Sequence, residues 1–134
     1  MRTIKLGFTL IELLVVIAII AIITSIGVAN LITAQKQARD SARREIISNV
    51  ESAFEQYYAE FNVYPASGSQ GAAFESGTAP SDPKGSTNPL TWNMSTVAYC
   101  VCATLETGVG NAGASATTTC NWTGTTHYCA QNKQ

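Results

Sequence analysis

The sequence predicts an α+β fold, in which a long N-terminal α-helix, membrane-spanning in its first half, packs on a small antiparallel β-sheet. Two observations support this class. Aliphatic residues are concentrated before Val63, first as an unbroken apolar run and then as a stripe with helical spacing. Beyond Val63 the chain is rich in Thr, Ser, Gly, Asn and Ala and contains two short β-prone runs. With 134 residues, the chain provides one small domain.

The charge composition argues against an enzyme and against bulk attraction to nucleic acid. Lys and Arg number 8, Asp and Glu number 9, and the chain has one His. Charged residues make up 13% of the sequence, about half the usual share. With so few acids and bases, we expect a membrane-tethered interaction protein that uses no cofactor.

Residues 8–32 form the predicted membrane segment. They contain one charge, Glu12, and as a helix they extend about 37 Å, enough to cross a bilayer core. One interpretation is a secretory signal cut after Ala29, which would release a secreted binding module. The other is a leader over residues 1–7 followed by a retained helix. Glu12 favours retention, because a carboxylate at membrane depth costs about 2.5–3.5 kcal/mol and a retained helix can offer it a partner.

The segment KLGFTLIELLVV, from Lys5 to Val16, resembles the processing and assembly motif of type IV pilins and pseudopilins. This resemblance implies the type IV pilin fold, cleavage by a prepilin peptidase after Gly7, N-methylation of Phe8 and an assembly role for Glu12. It also implies that the chain forms a helical homopolymer, and that an assembly ATPase and a platform membrane protein act on it.

The same resemblance implies a location. The chain would be held in the inner membrane before assembly and would then form a cell-surface or periplasmic filament, with its C-terminal part outside the cytoplasm. A pilus subunit, a pseudopilin of a type II secretion system and a competence pilus subunit share the motif, so all three interpretations remain open.

Electrostatics independently suggests a role for Glu12. Cleavage after Gly7 would leave a cationic amine on Phe8, about one helical turn from this carboxylate. At about 4 Å and an effective dielectric constant near 20, their attraction is about 4 kcal/mol. Thr9 and Glu12 also have the spacing of a capping box, which places a carboxylate favourably at a helix start. The two roles are compatible.

Residues 33–62 are predicted to continue the helix as an amphipathic second half. Its apolar stripe consists of Ile46, Ile47, Val50, Phe54, Tyr57, Tyr58 and Phe61. A basic stretch from Lys36 to Arg44 precedes acidic residues from Glu45 to Glu60. These charges either form a solvated face with weak pairs, such as Asp40 with Arg44, or join staggered neighbours in a polymer. Nucleic-acid binding is not expected, because the basic stretch has no base-reading motif.

Residues 63–96 are predicted to form a loop from helix to sheet, because all four prolines lie there. Residues 97–134 are predicted to form the small disulfide-pinned sheet. Its strands would occupy 97–106 and 116–122, folded as a hairpin centred on Asn111.

The hairpin determines the predicted disulfides. It places Cys102 opposite Cys120 and leaves Cys100 to pair with Cys129, one of three possible connectivities. Disulfides are preferred to zinc because the cysteine spacing matches no usual zinc module. His127 is expected on the surface, without a catalytic partner, and the scattered acidic residues predict no calcium site.

Overall fold

The computed structural model describes residues 7–85, 89–113 and 123–133. Its elements are helix α1 (Leu10–Phe61), a 3-10 helix (Gln70–Ala73), and strands β1 (Thr91–Met94), β2 (Tyr99–Thr104) and β3 (His127–Gln131). The predicted α+β class is confirmed, with one long N-terminal helix and an antiparallel three-stranded sheet. Contacts divide the chain into two compact units, Met1–Gln35 and Lys36–Gln134.

The N-terminal unit contains the first part of α1. An 18-residue window of this helix has a mean hydropathy of 2.8, and none of that window is buried. Among the described residues, α1 is the one helix that is long and apolar enough to cross a membrane. The high hydropathy follows from the sequence, because nearly every side chain between residues 10 and 23 is aliphatic.

The C-terminal unit has its core between the second part of α1 and one face of the sheet. Ile47, Val50 and Phe54 are fully buried there, as the helical spacing predicts. The Phe54 ring meets the Tyr99 ring edge-on, with centroids 4.9 Å apart. Phe61, at the end of the predicted stripe, is instead 52% exposed.

Strand β2 is central in the sheet order β1-β2-β3. Its alternate residues face two different clusters, because successive side chains of a strand point to opposite faces. Tyr99, Val101 and Ala103 belong to the core beneath α1. Cys100 and Cys102 lie in a second buried cluster with Ala112 and Cys129. Successive side chains of β2 therefore alternate between the two clusters.

The predicted hairpin is wrong in its partner strand. β2 pairs with residues 127–131 on one side and with residues 91–94 on the other. The strand predicted over 116–122 lies outside the described residues. β1 lies in the segment predicted to be a loop. It consists of only four residues, Thr91 to Met94, between Pro89 and a turn at Ser95. So short a strand has almost no periodic signal.

The disulfide prediction is also wrong. Cys102 is bonded to Cys129, because the two residues lie directly opposite each other in the β2–β3 register, with Cα atoms 4.1 Å apart. This bond excludes both predicted pairs, Cys102 with Cys120 and Cys100 with Cys129. The Cys100 sulfur is buried 3.9 Å from that of Cys102, and Cys120 lies outside the described residues.

Candidate functional site

The N-terminal end of α1 is closed by reciprocal hydrogen bonds between Thr9 and Glu12. The Thr9 backbone N–H donates to Glu12 Oε2 over 2.9 Å, and the Thr9 hydroxyl donates to the same oxygen over 2.7 Å. In return, the Glu12 backbone N–H donates to Thr9 Oγ1 over 3.3 Å. The predicted capping box is confirmed, and it fixes the Glu12 carboxylate at the positive end of the helix dipole.

The cap leaves acceptor capacity on Glu12. Both bonds from Thr9 reach Oε2, and Oε1 accepts no hydrogen bond from any described residue. The carboxylate is exposed. A carboxylate has about four lone-pair sites, so Glu12 can cap its own helix and bind a cation at the same time.

Gly7 and Phe8 precede the cap. The Phe8 side chain is 78% exposed and packs into no core. A Cβ added to Gly7 would meet no atom of a described residue within 4 Å, and Gly7 is not among the described residues with positive φ. The described part of the fold therefore does not require glycine at position 7.

An aliphatic surface follows the cap. Its members, each between 47% and 78% exposed, are Leu10, Ile11, Leu13, Leu14, Val15, Val16, Ile17, Ile19, Ile20, Ile22 and Ile23. Fully burying one such side chain stabilises by about 1.5–3 kcal/mol. A continuous apolar surface of this extent requires a lipid or protein covering.

The polar residues within this part of α1 are compatible with an apolar surrounding. The Thr24 hydroxyl donates to the Ile20 carbonyl over 2.8 Å, and the Ser25 hydroxyl donates to the Ile22 carbonyl over 2.8 Å. Each hydroxyl is thus satisfied by its own helix, which removes most of the cost of placing it in hydrocarbon. The helix also continues through Gly27.

In the C-terminal unit, Arg43 is the centre of a buried ion network. Its side chain is fully buried, and its guanidinium bonds Asp82 through Nε over 2.6 Å and Nη2 over 3.1 Å. Nη1 bonds Asp40 over 2.8 Å and Glu106 over 3.0 Å. The bidentate contact with Asp82 is the main cause that raises the pKa of Arg43. These bonds tie α1 to two separate loops.

The acidic partners are held in their charged forms. Burial by itself would raise the pKa of Asp40, but hydrogen bonds from the Thr107 hydroxyl and from the backbone N–H groups of Glu106 and Thr107 outweigh it and lower that pKa. The pKa of Glu106 is strongly lowered, first by its hydrogen bonds with Arg39.

The network corrects the interpretation of the basic stretch as a solvated face. Arg43 and Asp40 are buried, and Arg39 is bonded bidentately to Glu106. Asp40 pairs with Arg43, three residues on, and not with Arg44, whose guanidinium donates to the Val109 carbonyl instead. Arg39 and Arg43 already pair with acidic residues of their own subunit, so they do not supply free charges for pairing between staggered subunits.

Sequence reasoning missed the roles of Asn111 and His127. The Asn111 amide donates to the Cys129 carbonyl over 3.0 Å and accepts from the Cys129 N–H over 2.8 Å, so it pairs like a strand along the outer edge of β3. His127 is buried, not on the surface as expected, and burial lowers its pKa. Its ring nitrogens contact the hydroxyls of Thr104 and Thr126. No local sequence signal marks either role, since both depend on which strand pairs with β2.

Comparisons with known proteins bear on the N-terminal part. The family model described as the prokaryotic N-terminal methylation motif matches residues 2–28. The chain is also similar to the type IV wide pilus major component PilA4 of Thermus thermophilus, with 44% identity over 64 residues. That match spans 48% of this chain and 48% of the relative, so about half of each. No solved structure matches the chain.

The resemblance to type IV pilins that the sequence predicts is thus confirmed for the segment that carries the motif.

Within the described residues, no group of three or more His, Cys, Asp or Glu side chains could hold a metal ion.

Proposed function

We propose that this chain, which carries the N-terminal motif of the type IV pilin family, is the structural subunit of a type IV pilus-like filament. One observation carries the proposal: a continuous helix exposes an aliphatic surface over its first part, and the carboxylate of Glu12 caps the start of that helix. Lipid covers this surface before assembly, and identical helices cover it afterwards. The named relative is a pilus component, and we therefore propose a pilus in preference to a secretion pseudopilus.

Retention of the helix is supported against a cut after Ala29. Residues 10–61 form one uninterrupted helix, so cleavage there would divide a regular element within its hydrogen-bonded run. The hydroxyls of Thr24 and Ser25, four and five residues earlier, are satisfied within the helix. A segment that stays in hydrocarbon needs this arrangement, whereas a discarded signal does not.

Processing takes place between Gly7 and Phe8. Hydrolysis of this peptide bond by a prepilin peptidase releases the leader and leaves an amine on Phe8, which is then N-methylated. The exposure of Phe8 and the open surroundings of Gly7 support access to the bond. Recognition by a peptidase would explain why a glycine occupies a position where the described fold does not need one.

Glu12 receives the new amine. The unused Oε1 supports this role, because the carboxylate can accept the amine without giving up its cap. The amine belongs to the same subunit or to a neighbour in the filament. Inside a bundle of apolar helices, a charge left without its partner is strongly destabilising, by about 3–5 kcal/mol.

The location and partners follow from this function. The subunit is held in the inner membrane by its apolar helix, with the C-terminal unit outside the cytoplasm, until a platform protein and an assembly ATPase transfer it to the filament. Outside the cytoplasm the surroundings are oxidising, which agrees with the Cys102–Cys129 disulfide.

Substitution of Glu12 tests the proposal. Glu12→Leu removes the anion and the carboxylate half of the cap, whereas Thr9→Ala removes only the hydroxyl half of the cap, at about 0.5–2 kcal/mol. We expect Glu12→Leu subunits to assemble poorly and Thr9→Ala subunits to assemble nearly normally, as measured by the yield of sheared surface filaments. Equal yields from Glu12→Leu and wild type would contradict the role of the carboxylate.

A further inference from the structure

An acidic groove lies between the C-terminal end of α1 and the segment that contains the 3-10 helix. It has a volume of about 310 Å³, and Tyr57, Phe61 and Phe74 supply its aromatic lining. Among the described residues, the charged groups that line it are Glu60 and Glu75, and both are exposed. The lining of the groove therefore combines aromatic rings with two carboxylates.

The basic residues of the described chain are nearly all engaged within the subunit. Arg39, Arg43 and Lys84 bond Glu106, and Lys133 bonds Glu51 over 2.9 Å. Arg44 donates to a backbone carbonyl. Lys36 is exposed, and no described residue pairs with it. Of the cations in the described part of the chain, Lys36 is thus the one available to a partner.

Lys36 is accompanied by an exposed aliphatic neighbour. Ile32 lies four residues earlier, on the same face of α1, and is 52% exposed. The segment 32–36 therefore presents an apolar side chain followed by a cation one turn later. This pattern complements a groove lined by aromatic and acidic side chains.

We propose that the groove binds segment 32–36 of a second copy of this chain, with Lys36 between Glu60 and Glu75 and Ile32 against the aromatic side chains of the lining. The proposal rests on the proposed function, because a homopolymer brings such copies together. It replaces the staggered pairing of whole charge blocks with one defined contact. Within one subunit Lys36 and Glu60 are about 36 Å apart along α1, so they can meet only between copies.

A zero-length carbodiimide cross-linker, which joins a lysine to a carboxylate in direct contact, tests this. Polymers grown from mixed unlabelled and isotope-labelled protein are treated and analysed by mass spectrometry. We expect Lys36–Glu60 or Lys36–Glu75 peptides as mixed-label pairs. The intramolecular Lys133–Glu51 pair is the internal positive control. Lys36→Arg keeps the charge but cannot form the amide, so this variant should assemble normally and lose the cross-link.

Charge reversal provides a second measurement. Glu60→Lys with Glu75→Lys should reduce assembly about tenfold at low salt, with Lys36→Glu restoring it. Glu45→Lys, at an exposed helical position outside the groove, is the matched control. Polymers that give the Lys133–Glu51 link without any Lys36 link would overturn the docking contact and leave the proposed function standing. A wild-type chain that forms no polymer would overturn both.

Discussion

Removing Asp82 should destabilise the C-terminal unit more than removing any surface charge. Asp82 supplies two of the four hydrogen bonds that reach the fully buried Arg43 guanidinium. Breaking a buried pair from one side costs about 3–5 kcal/mol. Arg43 keeps Asp40 and Glu106, so we expect Asp82→Ala to cost about 3 kcal/mol, the lower end of that range.

The double variant Arg43→Met with Asp82→Leu tests the role of the buried ion network in a second way. It removes the buried cation together with its main anion, while Asp40 keeps its bonds from Thr107 and Glu106 keeps Arg39. Replacing an isolated buried pair with apolar side chains of similar volume is often neutral, but Arg43 and Asp82 belong to a network that also contains Asp40. Asp40 stays buried without the cation that it pairs with, so the double variant should be no more stable than Asp82→Ala alone.

Chemical denaturation of the full chain in detergent, followed by near-ultraviolet circular dichroism, measures these differences. The aromatic cluster around Phe54 lies in the C-terminal unit and supplies the signal. Glu45→Gln, at an exposed position, is the control and should change little. A cost below about 1 kcal/mol for Asp82→Ala, typical of a surface ion pair, would refute the reasoning.

Three further predictions concern the same unit. Asn111→Ala should lower the free energy of unfolding by about 1–3 kcal/mol, since two hydrogen bonds to Cys129 are lost; an unchanged denaturation midpoint would contradict this. Non-reducing peptide mapping should recover Cys102 joined to Cys129, and recovery of Cys102 with another cysteine would show the register to be wrong. The pKa values of Asp40 and Glu106 are lowered by folding, so the unfolded chain binds more protons near pH 4 and stability should fall as the pH drops below about 4. A melting temperature constant between neutral pH and about pH 3 would argue against charged partners for Arg43.

The helical half of the fold was predictable because its signals are local and long. An apolar run followed by Ile47, Val50 and Phe54 at helical spacing leaves little choice of element. The Thr9–Glu12 cap was predictable for the same reason, since both partners lie within one helical turn.

The C-terminal part was predicted less well because its structure depends on long-range pairing. Which strand joins β2 decides the partner of Cys102, and no rule of spacing distinguishes residues 116–122 from 127–131. The buried ion network around Arg43 also depends on residues that are far apart in the sequence. Asp82 and Glu106 lie 39 and 63 residues from Arg43, so their convergence follows from the fold and not from a motif.

The mass of the native protein's N-terminus tests the central claim most directly. Protein recovered from cells and analysed intact should begin at Phe8 and carry one added methyl group. That result would show both that the apolar helix is retained and that the bond after Gly7 is the one processed. A mature chain that begins at Asn30 would contradict the account, because the exposed aliphatic surface would then be discarded with the signal.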